Sequence, residues 1–214
     1  PHAELNDIKQ IPPVAVSVFK NLGYGLASVP KEDIKLRLQS SATSGTPSTV
    51  VVDKITSKRQ AKAMVKVMQE FIGKDRKPFL VMDIDPRSEF RSLLGARFAA
   101  ITGYLNFASK SGFFLKAKNG VSYFDIDAIK EYLTTIPSDQ PVVVFGFTYI
   151  MYSNVLKAIL AKGEKIQLPK GSKIIHIGGW KKLEAERVEK SLFNQQLADG
   201  FCIEPTDVID IYGF

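Results

Sequence analysis

The sequence predicts an α/β fold with a parallel sheet, and three observations support this prediction. Four apolar runs of strand length alternate with helical patterns along residues 79–212. Continuous apolar runs are typical of parallel strands, because these are covered on both faces. The alternation of strands with helices indicates β-α-β units. Glycines follow three of the runs, as is typical of tight strand-to-helix turns.

A strand–loop–strand unit precedes the first of these runs. Residues 1–33 carry several prolines and glycines and are predicted as an irregular segment. From Ile34, apolar and polar residues alternate with the period of a half-buried strand. A loop of small residues over 40–48 follows, and the β-branched run 49–52 predicts a second strand. We therefore assign residues 34–214 to one domain with a parallel β-α-β sheet, flanking helices and an added β-hairpin.

The spacing of apolar residues predicts the connecting elements. A helix is predicted over 56–71, with Met64, Val67, Met68 and Phe71 facing inward. A second is predicted from Ser88 through Ile101, and a short third one after Asp125. The last two helices are predicted through Val155 and Leu160 to Gly163, and over 183–197 with a stop at Gly200. A hairpin is predicted over 112–124, because Asn119–Gly120 is a strong signal for a two-residue turn.

Composition narrows the possible partners. The net charge is +7 and the pI about 9.4, which favours anionic ligands such as nucleotides. The basic residues are scattered without a run of five, so no nucleic-acid partner is predicted. The single cysteine, Cys202, allows no disulfide within the chain. No apolar stretch has the length of a membrane span. A cytoplasmic protein is expected.

The loop 40–48, SSATSGTPS, has the composition of a phosphate-binding loop. Phosphate needs closely spaced backbone donors and hydroxyls without bulky neighbours. The hydroxyl residues are Ser40, Ser41, Thr43, Ser44, Thr46 and Ser48. Gly45 permits a turn, and Pro47 stiffens its exit. An ordinary turn has the same composition, and the lysine and following helix of a Walker loop are absent. Residue chemistry alone leaves both interpretations open.

Glycines at the predicted carboxyl ends of strands mark a second candidate site. Gly146, Gly178 with Gly179, and Gly213 each come just after an apolar run. Ligands of parallel sheets lie outside the carboxyl ends of the strands, where glycine lets them approach the backbone. Trp180 and Tyr212 offer a flat face for a purine. Tight turns without a ligand are the alternative.

Four other residues have both a functional and a structural interpretation. Asp83 and Asp85 lie two apart at a strand end and could bind a metal, although a turn role is favoured and no metal ligand is assigned. His176 alternates with isoleucines and is favoured as a core histidine over a ligand contact. Cys202 is favoured as a small core residue over an acyl acceptor.

Three motifs together resemble the acyl-protein synthetase (LuxE) family of adenylate-forming, AMP-binding enzymes. SSATSGTPS resembles the signature SSGTTGxPK, with Ser48 replacing the lysine as in that family. The segment GGWK at 178–181 and the YG at 212–213, which resembles the start of YGxTE, follow in the family's order. Order and spacing match over residues 34–214.

The resemblance implies a ligase that consumes ATP. A carboxylic acid, expected to be a fatty acid, would attack the α-phosphorus of ATP and release pyrophosphate. The resulting acyl-adenylate would pass its acyl group to a thiol on a protein, a carrier or CoA. ATP and Mg²⁺ are the implied cofactors, and an acyl reductase is an implied partner.

The resemblance also assigns roles to residues. The loop 40–48 would hold the β- and γ-phosphates. Gly178 and Gly179 would border the adenine and ribose, and Tyr212, followed by Gly213, would stack on the adenine. An acyl pocket is expected from position at Phe145, Gly146 and Thr148.

The sequence departs from the family pattern in the loop signature and at its carboxyl end. Ala42 replaces a glycine of the signature, and Ser44 replaces its usual threonine. The chain also ends before the glutamate of YGxTE and before the small carboxyl-terminal domain that carries the usual lysine. Residues 34–214 are therefore expected to be a large-domain fragment whose catalytic residues lie beyond Phe214. An acyl-CoA ligase of the phenylacetate type and a non-catalytic nucleotide- or acyl-binding module remain alternatives.

Overall fold

The structure is a computed structural model that describes residues 9, 11–39, 46–94, 97–118 and 120–211. The chain divides into two compact units, residues 1–67 and 68–214. The strands are β1 Ile34–Gln39, β2 Thr49–Asp53, β3 Lys77–Val81, β4 Ala108–Phe113, β5 Leu115–Lys118, β6 Val121–Phe124, β7 Val143–Phe147, β8 Lys173–Ile177 and β9 Val208–Ile211. The helices are α1 Val16–Asn21, α2 Lys54–Ile72, α3 Arg97–Tyr104, α4 Ile126–Thr134, α5 Thr148–Ile150, α6 Lys157–Lys162 and α7 Lys190–Phe201, and a π-helix, Met151–Leu156, joins α5 to α6.

The first unit contains the predicted strand–loop–strand element. β1 and β2 pair antiparallel, with Leu38 opposite Val50. The prediction of an irregular segment before β1 is wrong for α1 and for the 3₁₀ turns at Gly23–Leu26 and Lys31–Asp33. Leu36 and Leu38 are about two-fifths exposed, so the apolar face of β1 is only partly covered.

Helix α2 confirms the predicted helix but differs in its cap. The Asp53 carboxylate accepts the backbone N–H of Thr56 at 2.5 Å, so Asp53 fills the capping role expected for Thr56. Hydrogen bonds from Thr56 lower the pKa of Asp53. Of the four residues predicted to face inward, Met68 is buried, whereas Val67 and Phe71 are more than two-fifths exposed.

The second unit is built on a five-stranded parallel sheet in the order β4-β3-β7-β8-β9. β3, β7 and β8 are central and almost fully apolar, and their side chains are buried on both faces, as the continuous runs predicted. β4 was not predicted as a sheet strand: residues 108–111 were assigned to no element, and residues 112–113 were assigned to the hairpin. The hairpin itself is shorter, β5 with β6, with Gly120 at φ 75° in its turn.

The helices of the second unit follow the predicted pattern with one correction. The helical stretch from α5 to α6 ends at Gly163, whose φ of 62° is left-handed, as predicted. The helix predicted over 183–197 is a 3₁₀ segment, Lys181–Glu186, followed by α7. α7 ends at Phe201, beyond the predicted stop at Gly200, and its capping residue Cys202 is left-handed with φ 53°. In the described ranges, no helix is long and apolar enough to cross a bilayer.

Candidate functional site

The strand order creates a switch point between β3 and β7. From β3 the chain passes to β4 at one edge of the sheet, and from β7 it passes to β8 and β9 at the other. β3 and β7 are direct parallel neighbours, with Val81 opposite Phe145. In open α/β sheets, ligands bind at such a point outside the carboxyl ends of the strands. The residues that follow β3 and β7 are therefore candidates for a ligand site.

A buried ion pair lies at the carboxyl end of β3. Arg97, the first residue of α3, donates from Nε to Asp83 Oδ2 at 2.7 Å and from Nη2 to Asp83 Oδ1 at 3.1 Å. Its Nη1 donates to the hydroxyl of Tyr149 at 2.8 Å. The side chain of Asp83 is 1% exposed and that of Arg97 is 18% exposed. The cluster thus ties the second residue after β3 to the helical turn after β7.

Arg97 of this cluster is charged at neutral pH. Burial opposes the charged form of Arg97, but the hydrogen bond and charge of Asp83 outweigh it, so the pKa of Arg97 is raised above its usual value. Burial raises the pKa of Tyr149. Sequence analysis did not identify Arg97 or Tyr149, because 14 and 52 residues separate the bonded partners. Only tertiary contact brings them together.

A second polar cluster joins the carboxyl ends of β7 and β8. The Thr148 hydroxyl oxygen lies 2.9 Å from His176 Nδ1, 2.7 Å from the Gly178 carbonyl and 3.2 Å from the Ile177 carbonyl. Thr148 is 4% exposed and His176 is 2% exposed. Thr148 was expected in the acyl pocket. Its hydroxyl contacts the turn after β8.

His176 is buried among groups of both charges. Its Nδ1 lies 3.7 Å from Asp210 Oδ1 on β9, and Lys190 of α7 binds the other Asp210 oxygen at 3.0 Å. Burial lowers the pKa of His176, Asp210 and Asn194 oppose this, and Lys190 reinforces it, with a lowered pKa as the net result. Among the described residues, His176 Nε2 has no hydrogen-bond partner of good geometry. The favoured interpretation of a core histidine is consistent with its burial.

The glycine turn after β8 has an open backbone. Gly178 has φ 76°, a conformation that favours glycine, and both Gly178 and Gly179 are exposed. A Cβ added at Gly179 would meet no described atom within 4 Å. Trp180, considered as a purine face, is only 8% exposed, and its ring packs on Tyr152 and Phe193 at centroid distances of 4.8 and 5.5 Å.

The other two residues of the expected acyl pocket lie in the sheet. Phe145 is 1% exposed, and its ring stacks on Tyr104 at 4.5 Å. Gly146 lies within β7 rather than after it, and a Cβ there would come 2.7 Å from Met151 Sδ and 3.1 Å from Met82 Cβ. Tight packing against these methionines therefore accounts for the glycine. The acyl-pocket assignment stays a prediction.

Asp85 belongs to a turn beside a cleft. Its carboxylate accepts the backbone N–H of Arg87 at 2.9 Å and binds the Arg87 guanidinium, which lowers the pKa of Asp85. A cleft of about 610 Å³ lies beside this turn. Its lining includes Ile84, Phe90, Phe113, Leu115, Lys116 and Tyr123. Within the described ranges, no group of three or more His, Cys, Asp or Glu could hold a metal.

Most of the predicted phosphate loop lies outside the described residues. These predicted site residues are Ser40, Ser41, Thr43, Ser44 and Gly45, together with Tyr212 and Gly213 at the other end of the chain. Thr46, which is exposed, and Ser48, which is partly buried, precede β2 in the first unit. Their assignment to phosphate binding stays a prediction.

The parallel sheet and the polar clusters at its edge characterise this protein. It is an α/β protein whose parallel sheet carries buried polar clusters and an open glycine turn at the carboxyl ends of its central strands. The chain belongs to the acyl-protein synthetase (LuxE) family, whose family model matches residues 3–214. The resemblance seen in the three motifs is thereby confirmed.

Several solved structures are similar to this chain. ATP-bound MatB from Rhodopseudomonas palustris is similar to this chain with a TM-score of 0.45 and 12% sequence identity. The alignment covers 88% of this chain and 30% of that chain, so this chain spans less than a third of that structure. The comparison with curated proteins gave no match.

Proposed function

We propose that this chain forms the nucleotide-binding part of an ATP-dependent ligase that activates a carboxylic acid as its acyl-adenylate. The observation that carries the proposal is membership of the acyl-protein synthetase family over residues 3–214. The acid is a fatty acid, the acyl group passes from the adenylate to a thiol, and an acyl reductase receives the product. The enzyme acts in the cytoplasm.

The proposed chemistry has two balanced steps. A carboxylate oxygen bonds to the α-phosphorus of ATP, the bond from that phosphorus to the bridging oxygen breaks, and pyrophosphate leaves. A thiolate then bonds to the acyl carbonyl carbon, and AMP leaves with the electron pair of the broken C–O bond. Mg²⁺ accompanies the phosphates of ATP. The residues that complete catalysis are proposed to lie beyond Phe214.

The residues of this chain would bind and orient the nucleotide. Backbone donors of the loop 40–48 are proposed to offset charge on the departing pyrophosphate. The turn at Gly178 and Gly179 is proposed to border the adenine and ribose. Both glycines are exposed and carry no side chain of their own, which suits contact with a flat ligand. Tyr212 and Gly213 complete the adenine contact in this proposal.

Exchange of labelled pyrophosphate into ATP tests the activity. Full-length protein is expected to catalyse exchange when a fatty acid is added and to show no exchange without an acid. Exchange with neither fatty nor aryl acids would refute the ligase and favour a binding module. Preference for aryl acids together with acyl-CoA as the product would favour a ligase of the phenylacetate type.

The loop assignment has its own test. Ser44→Ala combined with Gly45→Val is expected to weaken ATP binding at least tenfold, because the Ser44 hydroxyl is lost and a β-branched side chain at position 45 restricts the turn that presents the backbone donors. Ser138→Ala combined with Gly103→Val is a matched control at two exposed positions, and a Cβ at Gly103 would meet no described atom within 4 Å. Equal ATP affinity in the two double variants would remove the loop from the site.

A further inference from the structure

The Thr148 hydroxyl can donate one hydrogen bond, and the surrounding geometry favours one acceptor for it. The Gly178 carbonyl at 2.7 Å and the Ile177 carbonyl at 3.2 Å can only accept hydrogen bonds. His176 Nδ1, at 2.9 Å, can either donate or accept. Because the shortest contact is to Gly178, we infer that the Thr148 hydroxyl donates to that carbonyl. The Thr148 oxygen then accepts a hydrogen bond from His176, whose Nδ1 carries the ring proton. The chain of donors then runs from His176 to Thr148 to Gly178.

This chain of hydrogen bonds fixes one peptide of the glycine turn. A planar trans peptide points its C=O and N–H in opposite directions. Holding the Gly178 carbonyl against Thr148 therefore also sets the direction of the Gly179 N–H. Glycine has little conformational preference of its own, and no described atom would lie within 4 Å of a Cβ at Gly179. The Thr148 hydroxyl supplies the constraint that local sequence lacks.

The histidine is held in turn by groups from two other elements. Asp210 of β9 lies beside Nδ1, and Asn194 and Lys190 of α7 face the same region. The ring also meets Phe193 of α7 edge-on, with centroids 5.3 Å apart. His176 is thus kept at the position from which it donates to Thr148.

We propose that Thr148 is a positioning residue for nucleotide binding, which with His176 as its donor holds the Gly178–Gly179 turn in the conformation that receives the adenine and ribose. This inference rests on the proposed function of the turn. It assigns Thr148 to the nucleotide side of the site, whereas the sequence placed Thr148 in an acyl pocket.

The chain offers a matched control at the opposite end of the same strands. Ser172 Oγ accepts the backbone N–H of Val142 at 3.0 Å and donates to the Pro169 carbonyl at 2.6 Å. Like Thr148, Ser172 is buried and joins the β7 segment to the β8 segment. Ser172→Ala therefore removes a comparable hydroxyl far from the glycine turn.

The test compares ATP affinity in Thr148→Val, Thr148→Ser and Ser172→Ala of full-length protein, measured by calorimetry well below each melting temperature. We expect Thr148→Val to bind ATP about five- to tenfold more weakly, which corresponds to one hydrogen bond. Thr148→Ser and Ser172→Ala should stay within twofold of the wild type. ATP affinity unchanged in Thr148→Val, or weakened equally in Ser172→Ala, would overturn the inference.

A second readout separates this inference from the proposed function. Exchange of the Gly179 amide hydrogen should be faster in Thr148→Val than in Ser172→Ala, without any nucleotide. If the wild type binds no ATP, the proposed function and the nucleotide role of Thr148 both fall, and faster exchange would still show that Thr148 orders the turn. Equal exchange in the two variants would refute the ordering role itself.

Discussion

The two ends of the β7–β8 pair are joined in similar ways but in different surroundings. At the amino end, the Ser172 hydroxyl bonds to the backbone groups of Val142 and Pro169. At the carboxyl end, Thr148 bonds to two carbonyls and also to the buried side chain of His176. The next residue, Tyr149, bonds to the Arg97 that pairs with Asp83. Both ends thus have a buried hydroxyl that bonds to backbone groups, and at the carboxyl end this hydroxyl also contacts a buried ionisable side chain.

This difference indicates where the fold tolerates the desolvation of buried polar and charged groups. Burying charged groups requires desolvation that the attraction between them does not always repay. The amino end avoids this cost, since the side chains of its ion pair, Lys173 with Asp207, are each more than a fifth exposed. Buried polar groups are concentrated instead where parallel sheets bind ligands. Stability measurements on variants at the two ends test whether they differ in this way.

The largest effect is expected from the buried ion pair. Asp83→Ala leaves the mostly buried Arg97 without its carboxylate, and we expect a loss of about 3–5 kcal/mol in the free energy of unfolding. Denaturant unfolding measures this loss. Asp83→Leu combined with Arg97→Met removes both charges and should recover much of the stability. If the double variant is as unstable as Asp83→Ala, the unpaired charge is not the cause.

Apolar runs made the central strands predictable from the sequence. β3, β7 and β8 are covered on both faces, so each appears as an uninterrupted apolar segment. β4 lies at the edge of the sheet and is partly exposed along its length, so its sequence lacks that signal. Only its last two residues, 112–113, fell within the predicted hairpin, whose turn at Gly120 joins β5 to β6.

The candidate site was predictable where it depends on backbone, and not where it depends on distant side chains. Gly178 and Gly179 were identified because glycine after an apolar run has a local meaning. The partnership of Asp83 with Arg97 requires the crossover to α3, and that of Thr148 with His176 requires the pairing of β7 with β8. No spacing rule within one element encodes these contacts.

The second-largest effect is expected at Gly146. An alanine Cβ would lie 2.7 Å from Met151 Sδ and 3.1 Å from Met82 Cβ, so Gly146→Ala should destabilise the protein by about 1–3 kcal/mol through overpacking. Thermal and denaturant unfolding measure the change. Gly103→Ala in α3 is the control, and it should be neutral or stabilising because no described atom lies within 4 Å of its Cβ. A neutral Gly146→Ala would mean that the carboxyl end is less tightly packed than the structure indicates.

A pH effect of intermediate size is expected from His176. Its pKa in the folded protein is below the ordinary value of 6.5, mainly because of burial. Below pH 6.5 the unfolded chain therefore takes up a proton that the folded chain resists, and stability falls as pH falls through the folded pKa. Each unit of pKa depression corresponds to about 1.4 kcal/mol. Above pH 6.5 both states are neutral at this residue, and the effect vanishes.

Unfolding measured between pH 7.5 and 5 checks this expectation. His176→Asn should lose less stability over that range, because it cannot titrate. The sequence contains one other histidine, His2, and His2→Asn controls for its contribution. If wild type and His176→Asn respond equally to pH, the titration of His176 does not limit stability in acid.

The smallest effect is expected at the amino end of β8. Lys173 pairs with Asp207, and the two side chains are 29% and 22% exposed. Pairs that retain contact with water contribute little, so Asp207→Asn should cost less than about 1 kcal/mol, and the cost should shrink further at 1 M salt. Asp83→Asn measured beside it should cost several times more and should respond less to salt, because its ion pair is shielded from solvent. Equal costs for the two variants would mean that both ends of the sheet are electrostatically alike, and the carboxyl end would then lose its distinction as the place where this fold concentrates buried charge.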